Sequence, residues 1–424
     1  MDEYKTQNQA PANPIPNSLV SIVKANDYKY PGVVKALEKS LELIGGVDKI
    51  IGRDDNVFVK INHLPPPSTP EMGIVTHPVF VKAVVDILKT TGANITVGDD
   101  IGIEPVGQSD QAGIDGFSVS GIRQVCQESG VTICNLRERG FIETACDGVL
   151  LDRVYVAKAI LEADVIVNLP KLKTHAFTTY TGGIKNMFGA IPKGQRLRYH
   201  DKYHYIDDFN QMLVDVFSAV KPDLTIIDGI TAMEGTGPSS GKLRNLGLIL
   251  ASRDTVALDA VVIKITGLKT RTKPITELAS ERGLGNHKLE NIEIVGENIS
   301  DVALTDFRMP DTEPAVGIFM RRAPKFLVEF VNNLSIVKPK VLRRLCVGCS
   351  ECRNTCPVNA ITIIEDKAHI DQRICIMCYC CYEACRYEAI QVKQPAYKRL
   401  IRNSLVTLKK IAGKILRKLP GKAR

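Results

Sequence analysis

The sequence contains no tryptophan, and none of its apolar runs approaches the roughly 20 residues that a membrane-spanning helix needs. The opening stretch, MDEYKTQNQAPANPIPNS, lacks the apolar core of a secretory signal. Residues 1–17 therefore read as a short disordered lead, and a cytoplasmic location is expected. The final stretch lacks acid: Ala396 to Arg424 holds six Lys and four Arg with no Asp or Glu. The net charge of +8 is thus carried by this tail, and the rest of the chain sits near −2, since 8 less 10 leaves −2.

What is present describes an ordinary soluble globular protein, with 44% hydrophobic and 24% charged residues. A length of 424 residues suggests two or three domains. Nine of the 12 cysteines crowd between Cys346 and Cys385. Without an export signal, metal binding is a better account of them than disulfides. Cys126, Cys134 and Cys146 have no ligand spacing and read as buried structural thiols.

From Ser18 to about Val295, short apolar runs alternate with amphipathic stretches. Strands are expected at 21–25, 57–62, 95–99, 131–135, 164–169, 224–229, 246–252 and 292–296. Helices are expected at 32–45, 78–91, 118–129, 206–220, 254–267 and 273–283. Near-continuous apolar strands alternating with helices predict an α/β fold, a mostly parallel sheet covered on both faces. The α/β domain is placed at 18–305 and a Pro-, Arg- and Lys-rich connector at 306–340, with a short helix at about 324–333. A small α+β domain at 341–393 and a basic helix at 394–424 complete the chain.

Ligands of such sheets sit beyond the carboxyl ends of strands. Lys60, Asn62 and Asp99 fall at such ends, and Asp228 is expected at another. The most informative stretch is VNLPKLKTHAFTTYTGGIKNMFGAIP, residues 167–192. It gathers Lys171, Lys173, His175 and Lys185 with Asn168 and Asn186 around Gly182-Gly183. Three ammonium groups and a Gly-Gly turn suit a carboxylate or phosphate. His175 is placed to exchange protons near neutral pH. Among further acids, Asp254 reads as the cap of helix 254–267, Asp259 has no assigned task, and Glu234 opens a glycine-bearing loop that matches no dinucleotide fingerprint.

The cysteines form a repeat at an offset of 29 residues: CVGCSECRNTCPVNAITI (346–363) and CIMCYCCYEACRYEAIQV (375–392). Each contains C-x2-C-x2-C-x3-C, in which three close thiolates hold one 4Fe–4S cluster and the fourth reaches the other. One cluster then takes Cys346, Cys349, Cys352 and Cys385, and the second takes Cys375, Cys378, Cys381 and Cys356. Two zinc sites would leave the fourth cysteine and the repeated Ala360-Ile361 and Ala389-Ile390 unexplained. Residues 341–393 resemble bacterial two-cluster ferredoxins. They depart from that family at Arg386, where a proline is usual, and at an additional Cys380, which packs as a small apolar residue or replaces a neighbouring ligand.

VFVKIN, the Gly98-Asp99 pair, NLPKLKTH…TGGIKN and ASRDTVALDA together resemble the family called domain of unknown function 362, over most of residues 20–300. A more distant resemblance links His175, Thr181-Gly182-Gly183 and Lys185 to the nickel-pincer lactate racemases. That resemblance implies a proton-transferring His175, a cofactor-anchoring Lys185 and nickel ligation by His200 or His204.

In the tail, Ile401, Leu405, Leu408, Ala412, Ile415 and Leu419 mark one apolar stripe opposite a Lys/Arg face. Such a helix suits an anionic membrane surface, an acidic redox partner or its own domain. Nucleic acid is not expected, because aromatic residues are missing beyond Tyr397. The first expectation for the whole is a redox protein relaying electrons between a partner protein and an anionic substrate on the α/β domain. The alternatives are a racemase-like proton-transfer enzyme with regulatory clusters, and a non-enzymatic electron carrier.

Overall fold

The computed structural model describes residues 17–64, 68–101, 115–175, 177–203, 205–235, 237–239, 241–270, 272–310, 338–354, 358–375 and 389–391, with Cys356, Cys381, Cys385 and Tyr387. The connector helix, the basic helix 394–424, His204, Cys378, Cys380 and Arg386 lie outside the described residues.

The chain begins with β1 (Ser18–Lys24), α1 (Tyr30–Leu43), β2 (Asn56–Ile61), α2 (Pro78–Lys89) and β3 (Asn94–Asp99). Two short helices, α3 (Gly116–Val119) and α4 (Ile122–Ser129), lead to β4 (Thr132–Asn135). A separate hairpin, β5 (Phe141–Ala145) and β6 (Arg153–Ala157), precedes α5 (Lys158–Leu161) and β7 (Val165–Leu169). Next come β8 (Lys171–His175), β9 (Thr179–Thr181), α6 (Gly183–Asn186), α7 (Lys193–Lys202) and α8 (Ile206–Ala219). The domain closes with β10 (Leu224–Glu234), β11 (Lys242–Ser252), α9 (Thr255–Thr266), α10 (Ile275–Glu281), β12 (Ile292–Gly296) and α11 (Ile299–Val302).

Ten strands form one sheet, in the order β12-β1-β11-β10-β7-β2-β3-β4, with β8 beside β10 and β9 beside β8. The pairs are parallel except where β11 meets β1 and β10 and where β9 meets β8. This is the mostly parallel α/β sheet expected. Strand β2 shows why its sequence is almost wholly apolar: Val57, Val59 and Ile61 enter one core, while Phe58 enters the opposite one. On the first face pack α1, α2 and α4, through Leu37, Phe80, Val84 and Ile122. On the other lie α8, through Phe209 and Phe217, and α9, through Leu258 and Val261.

Local chemistry sets several boundaries. Helix α2 starts at Pro78, and His77 Nδ1 accepts the Val79 amide at 3.3 Å. Helix α9 is capped by Asp254, which accepts the amides of Val256 and Ala257 at 2.9 and 3.0 Å, as its sequence position suggested. Gly121, at φ 75°, splits the single helix expected at 118–129 into α3 and α4.

Strands β10 and β11 outrun their expected lengths. Gly229 reads as a strand end in the sequence, yet β10 continues through it. A Cβ at Gly229 would lie 2.9 Å from the Leu248 carbonyl oxygen of β11, so glycine admits the neighbouring strand there. Asp228 is accordingly within β10 rather than at its end, a correction to the sequence expectation. Residues 171–175 and 179–181, where the sequence predicts no strand, form β8 and β9. Phe307 also joins the core around α9, so the domain's packing runs slightly past residue 305.

In the C-terminal module, β13 (Lys340–Val341) pairs with β16 (Ile390–Gln391), and β14 (Ile361–Ile364) with β15 (Lys367–Ile370). Ala360, Ile361, Ala389 and Ile390, the repeated pairs, are buried together with Cys346, Cys352, Cys375 and Cys381.

Candidate functional site

The site begins at the carboxyl ends of β2 and β3. Lys60 is 1% exposed and pairs with Asp99 at 2.9 Å. Asp99 also accepts the amides of His63 and Asp100, at 2.8 and 2.7 Å. Burial pulls the Lys60 pKa below lysine's usual value, and Asp99 opposes that pull. Asp100 binds Arg137 at 2.5 Å and also Arg196 from α7. A Cβ at Gly189 would sit 2.9 Å from Lys60 Nζ and 3.2 Å from Asp99, so this glycine lets the chain pass over the pair.

A second buried pair stands one strand away. Lys171 and Asp228 meet at 2.9 Å, and both bond the Tyr28 hydroxyl, at 2.5 and 2.7 Å. Asp228 further accepts the His77 amide at 3.1 Å, and the His77 ring stacks on Tyr28 at 3.6 Å. Burial, aided by Lys171, pushes His77 down to about 4, so it is neutral at physiological pH. This network ties the segment between β1 and α1 to the start of α2, β8 and β10, and every charge in it has a partner.

Lys173 and Lys185 differ. Lys173 is 1% exposed, and among the described residues its ammonium donates only to the Ile74 carbonyl, at 2.6 Å. Burial, then the neighbouring Lys185 and Lys171, drive its pKa well below the usual value. Half-buried Lys185 has no ion pair or hydrogen-bond partner among the described residues, and its ammonium lies 6.0 Å from the Phe188 ring. Burial and Arg196 lower it to about 8.

His175 completes this group. Its Nδ1 accepts the amides of Phe177 and Thr178, at 3.2 and 3.3 Å, which leaves the proton on Nε2. Burial, then Lys185, His200 and Lys173, hold it well below the usual histidine value. The His200 ring stacks on Phe209 at 4.4 Å and meets Phe188 edge-on. Burial of that ring, then Lys185 and Arg196, lower its pKa too, although the residue as a whole stays exposed. Arg196 and His200 are four residues apart on α7 and face the site together. Arg196 was not singled out from the sequence. Its spacing to His200 in KGQRLRYHDK is the signal that would have found it.

The glycine turn takes another role. The Gly183 and Ile184 amides, expected to cradle a ligand, are bonded to Asp259 at 2.7 and 3.0 Å, and Tyr180 donates to the same carboxylate at 3.1 Å. The anion that this turn holds is the protein's own. Burial raises Asp259 to about 6 against the pull of those donors. Asn186 donates to Asn168 at 2.7 Å, and Asn168 donates to the Gly183 carbonyl at 3.0 Å, so both amides brace the turn. Asn62 bonds Thr76 through its backbone amide at 2.8 Å. Glu234 faces Arg308 and Arg244, and its loop is tied down by the bond from the Gly235 amide to the Arg308 carbonyl.

In the module, Cys346, Cys349, Cys352 and Cys385 line one cavity, with Val347 and Tyr387 on its wall. Backbone amides of Ala368, Ala360 and Ala389 each donate to a cysteine sulfur at 3.3 Å, on Cys346, Cys356 and Cys385. Amides aimed at sulfur and thiolates spread around a cavity fit the corners of an iron–sulfur cube. No three His, Cys, Asp or Glu side chains converge on a single ion among the described residues, which a cube does not require. Cys126, Cys134 and Cys146 are pushed up to about 11, chiefly by burial, and remain inert thiols.

Fold and site thus define an α/β protein with a buried cationic cluster and an appended iron–sulfur module. Residues 57–264 match the family described as domain of unknown function (DUF362), and residues 339–362 match the 4Fe-4S binding domain. A thylakoid-associated protein of Synechocystis sp. is 33% identical over 264 residues, which span 62% of this chain and 78% of that protein. The chain belongs to the domain of unknown function 362 family and carries a C-terminal 4Fe–4S binding domain. Among solved structures, the lactate racemase apoprotein of Thermoanaerobacterium thermosaccharolyticum is similar at a TM-score of 0.39 and 13% identity. That similarity covers 58% of this chain and 56% of the racemase, and at this level says nothing of activity. Among the described residues no helix is long and apolar enough to cross a membrane.

Proposed function

We propose that the protein exchanges electrons between its C-terminal module and an anionic small molecule bound at Lys173, His175, Lys185, Arg196 and His200. Helix α7 carries this reading. Arg196 reaches Asp100 at the charged site, while Arg198, two residues along, donates to the carbonyl of Cys375. One helix therefore touches both the cationic cluster and the cysteine module.

Two 4Fe–4S clusters, one on Cys346, Cys349, Cys352 and Cys385 and one on Cys356, Cys375, Cys378 and Cys381, would supply single electrons. The other tasks fall to the α/β domain. Among the described residues neither Lys173 nor Lys185 forms an ion pair with a carboxylate, so a ligand carboxylate or phosphate gains their attraction. Lys185, at about 8, gives or takes a proton near neutral pH. His175 offers its Nε2 proton as a neutral donor, with its ring fixed by the Phe177 and Thr178 amides. A proton-transfer enzyme would use the same pair, whereas a plain electron carrier would use neither.

The test reduces anaerobically purified protein with dithionite, removes the excess, and adds a panel of 2-oxo acids and phosphorylated ketones, whose carbonyl groups can accept the electrons. Recovery of cluster absorbance with at least one of them is expected. In Lys185→Ala it should slow at least about tenfold with iron content intact, as loss of one charged contact implies. Equal recovery in the variant, or recovery only with a protein acceptor, would overturn the proposal.

A further inference from the structure

The two cysteine sites of the module are not equivalent in their surroundings. Cys375, of the second set, offers its carbonyl to the Arg198 guanidinium on α7. Val358, two residues beyond Cys356 of the same set, packs on the core that contains β6 and α8. Cys356 itself lies within electrostatic reach of Tyr155 of β6. The first set looks the other way. Its cavity is lined by module residues alone, Cys349 is exposed, and Val347 and Tyr387 on its wall are 53% and 50% exposed.

From this asymmetry we propose that the two sites stand in series, the Cys356 set inward and the Cys346 set outward, and that Arg198 is the positioning residue that fixes the inward site on α7. The inference rests on the two-cluster reading above. The physical argument is charge and distance. The Arg198 guanidinium on the Cys375 carbonyl places its positive charge beside the inward cube, as the Lys367 ammonium on the Cys346 carbonyl does beside the outward one. Each cube thus has its own cation, and only the inward one draws it from α7. Gaining an electron makes a cube more negative, so the Arg198 charge favours the reduced form and raises the potential of the inward site. The same bond holds the module on the helix that bears Arg196 and His200. The outward site, with its exposed rim, is left facing solvent.

The test uses the full chain with its clusters assembled, titrated potentiometrically and followed by electron paramagnetic resonance. Cys349→Ser, at the exposed ligand, alters the signal of the outward cluster and so labels it. Arg198→Gln is expected to move the midpoint of the unlabelled cluster to more negative potential and leave the labelled one in place. Arg198→Lys should recover most of that shift. Hydrogen exchange in residues 358–375 should quicken in Arg198→Gln, reporting looser docking independently of any turnover. Loss of iron from the inward site alone would carry the same meaning. Unchanged midpoints in Arg198→Gln, or a shift confined to the labelled cluster, would overturn the inference. Wild-type protein holding well under about eight irons per chain would instead overturn the two-cluster reading on which it depends.

Discussion

Four lysines lie beneath the carboxyl edge of the sheet, and they fall into two pairs with opposite electrostatics. Lys60 and Lys171 each face a buried carboxylate at 2.9 Å, with neighbouring donors completing the network. Lys173 has only a backbone carbonyl, and Lys185 has no partner among the described residues. Placing an ammonium out of water costs several kcal/mol unless an opposite charge compensates it. The first pair therefore belongs to the scaffold. The second pair carries a cost that folding alone gives no reason to retain, and a bound anion would relieve it. What separates the two pairs is the carboxylate, not burial.

The comparison is most severely broken by deleting a carboxylate. Asp228→Ala would leave Lys171 buried without its counter-charge and remove acceptors for the Tyr28 hydroxyl and the His77 amide. A loss of about 3–5 kcal/mol is expected in urea denaturation. A loss below about 1 kcal/mol would mean that Lys171 finds another partner or sheds its proton, and the division into scaffold and ligand lysines would fail.

Much of the scaffold was legible in the sequence, and the reasons are physical. Strands such as β2 and β7 are buried on both faces, so they announce themselves as apolar runs, and Asp254 announced the start of α9 by its capping chemistry. Lys173, His175 and Lys185 stood out because basic residues are unusual among so many small and apolar ones. Apart from the break at Gly121, the misses involve long-range contacts. Nothing local to Gly183 shows that Asp259, 76 residues away, occupies its amide. Gly229 looks like a strand end until the Leu248 carbonyl is seen against it. Arg196 is tied to the charged site by Asp100, 96 residues distant, although its spacing to His200 was a local signal. Patterns within a few residues reveal elements, whereas the partner of a charge is settled by tertiary packing.

A middle-sized effect sharpens the contrast through pH. Oxalate keeps its charge between pH 6 and pH 10 and serves as the probe, its affinity read from the rise in melting temperature. With Lys185 at about 8, its ammonium is present below that pH and lost above it, so oxalate affinity should fall as pH rises through about 8. Lys185→Ala should bind at least about tenfold more weakly at pH 7 and lose most of this pH dependence. Without ligand the sign reverses. A lysine whose folded pKa lies below its unfolded value of 10.5 destabilises the fold while charged, and stability recovers as pH climbs from about 8 toward 10.5. An oxalate affinity that is flat across this window in the parent protein would remove Lys185 from the site.

The smallest effect on stability is expected where the unpaired lysine is replaced outright. Lys173→Met keeps the length of the side chain and removes a buried ammonium whose only partner among the described residues is the Ile74 carbonyl. Losing that hydrogen bond leaves a buried acceptor unsatisfied, at about 1–3 kcal/mol. Removing the desolvated amine, and its repulsion from Lys185 and Lys171, returns a similar amount. The two effects oppose, and the net change in unfolding free energy should stay within about 1 kcal/mol. The oxalate-induced rise in melting temperature should nevertheless shrink, because one of the two uncompensated charges is gone. A loss of stability approaching that of Asp228→Ala would show instead that Lys173 is held as firmly as Lys171, by a partner within the protein.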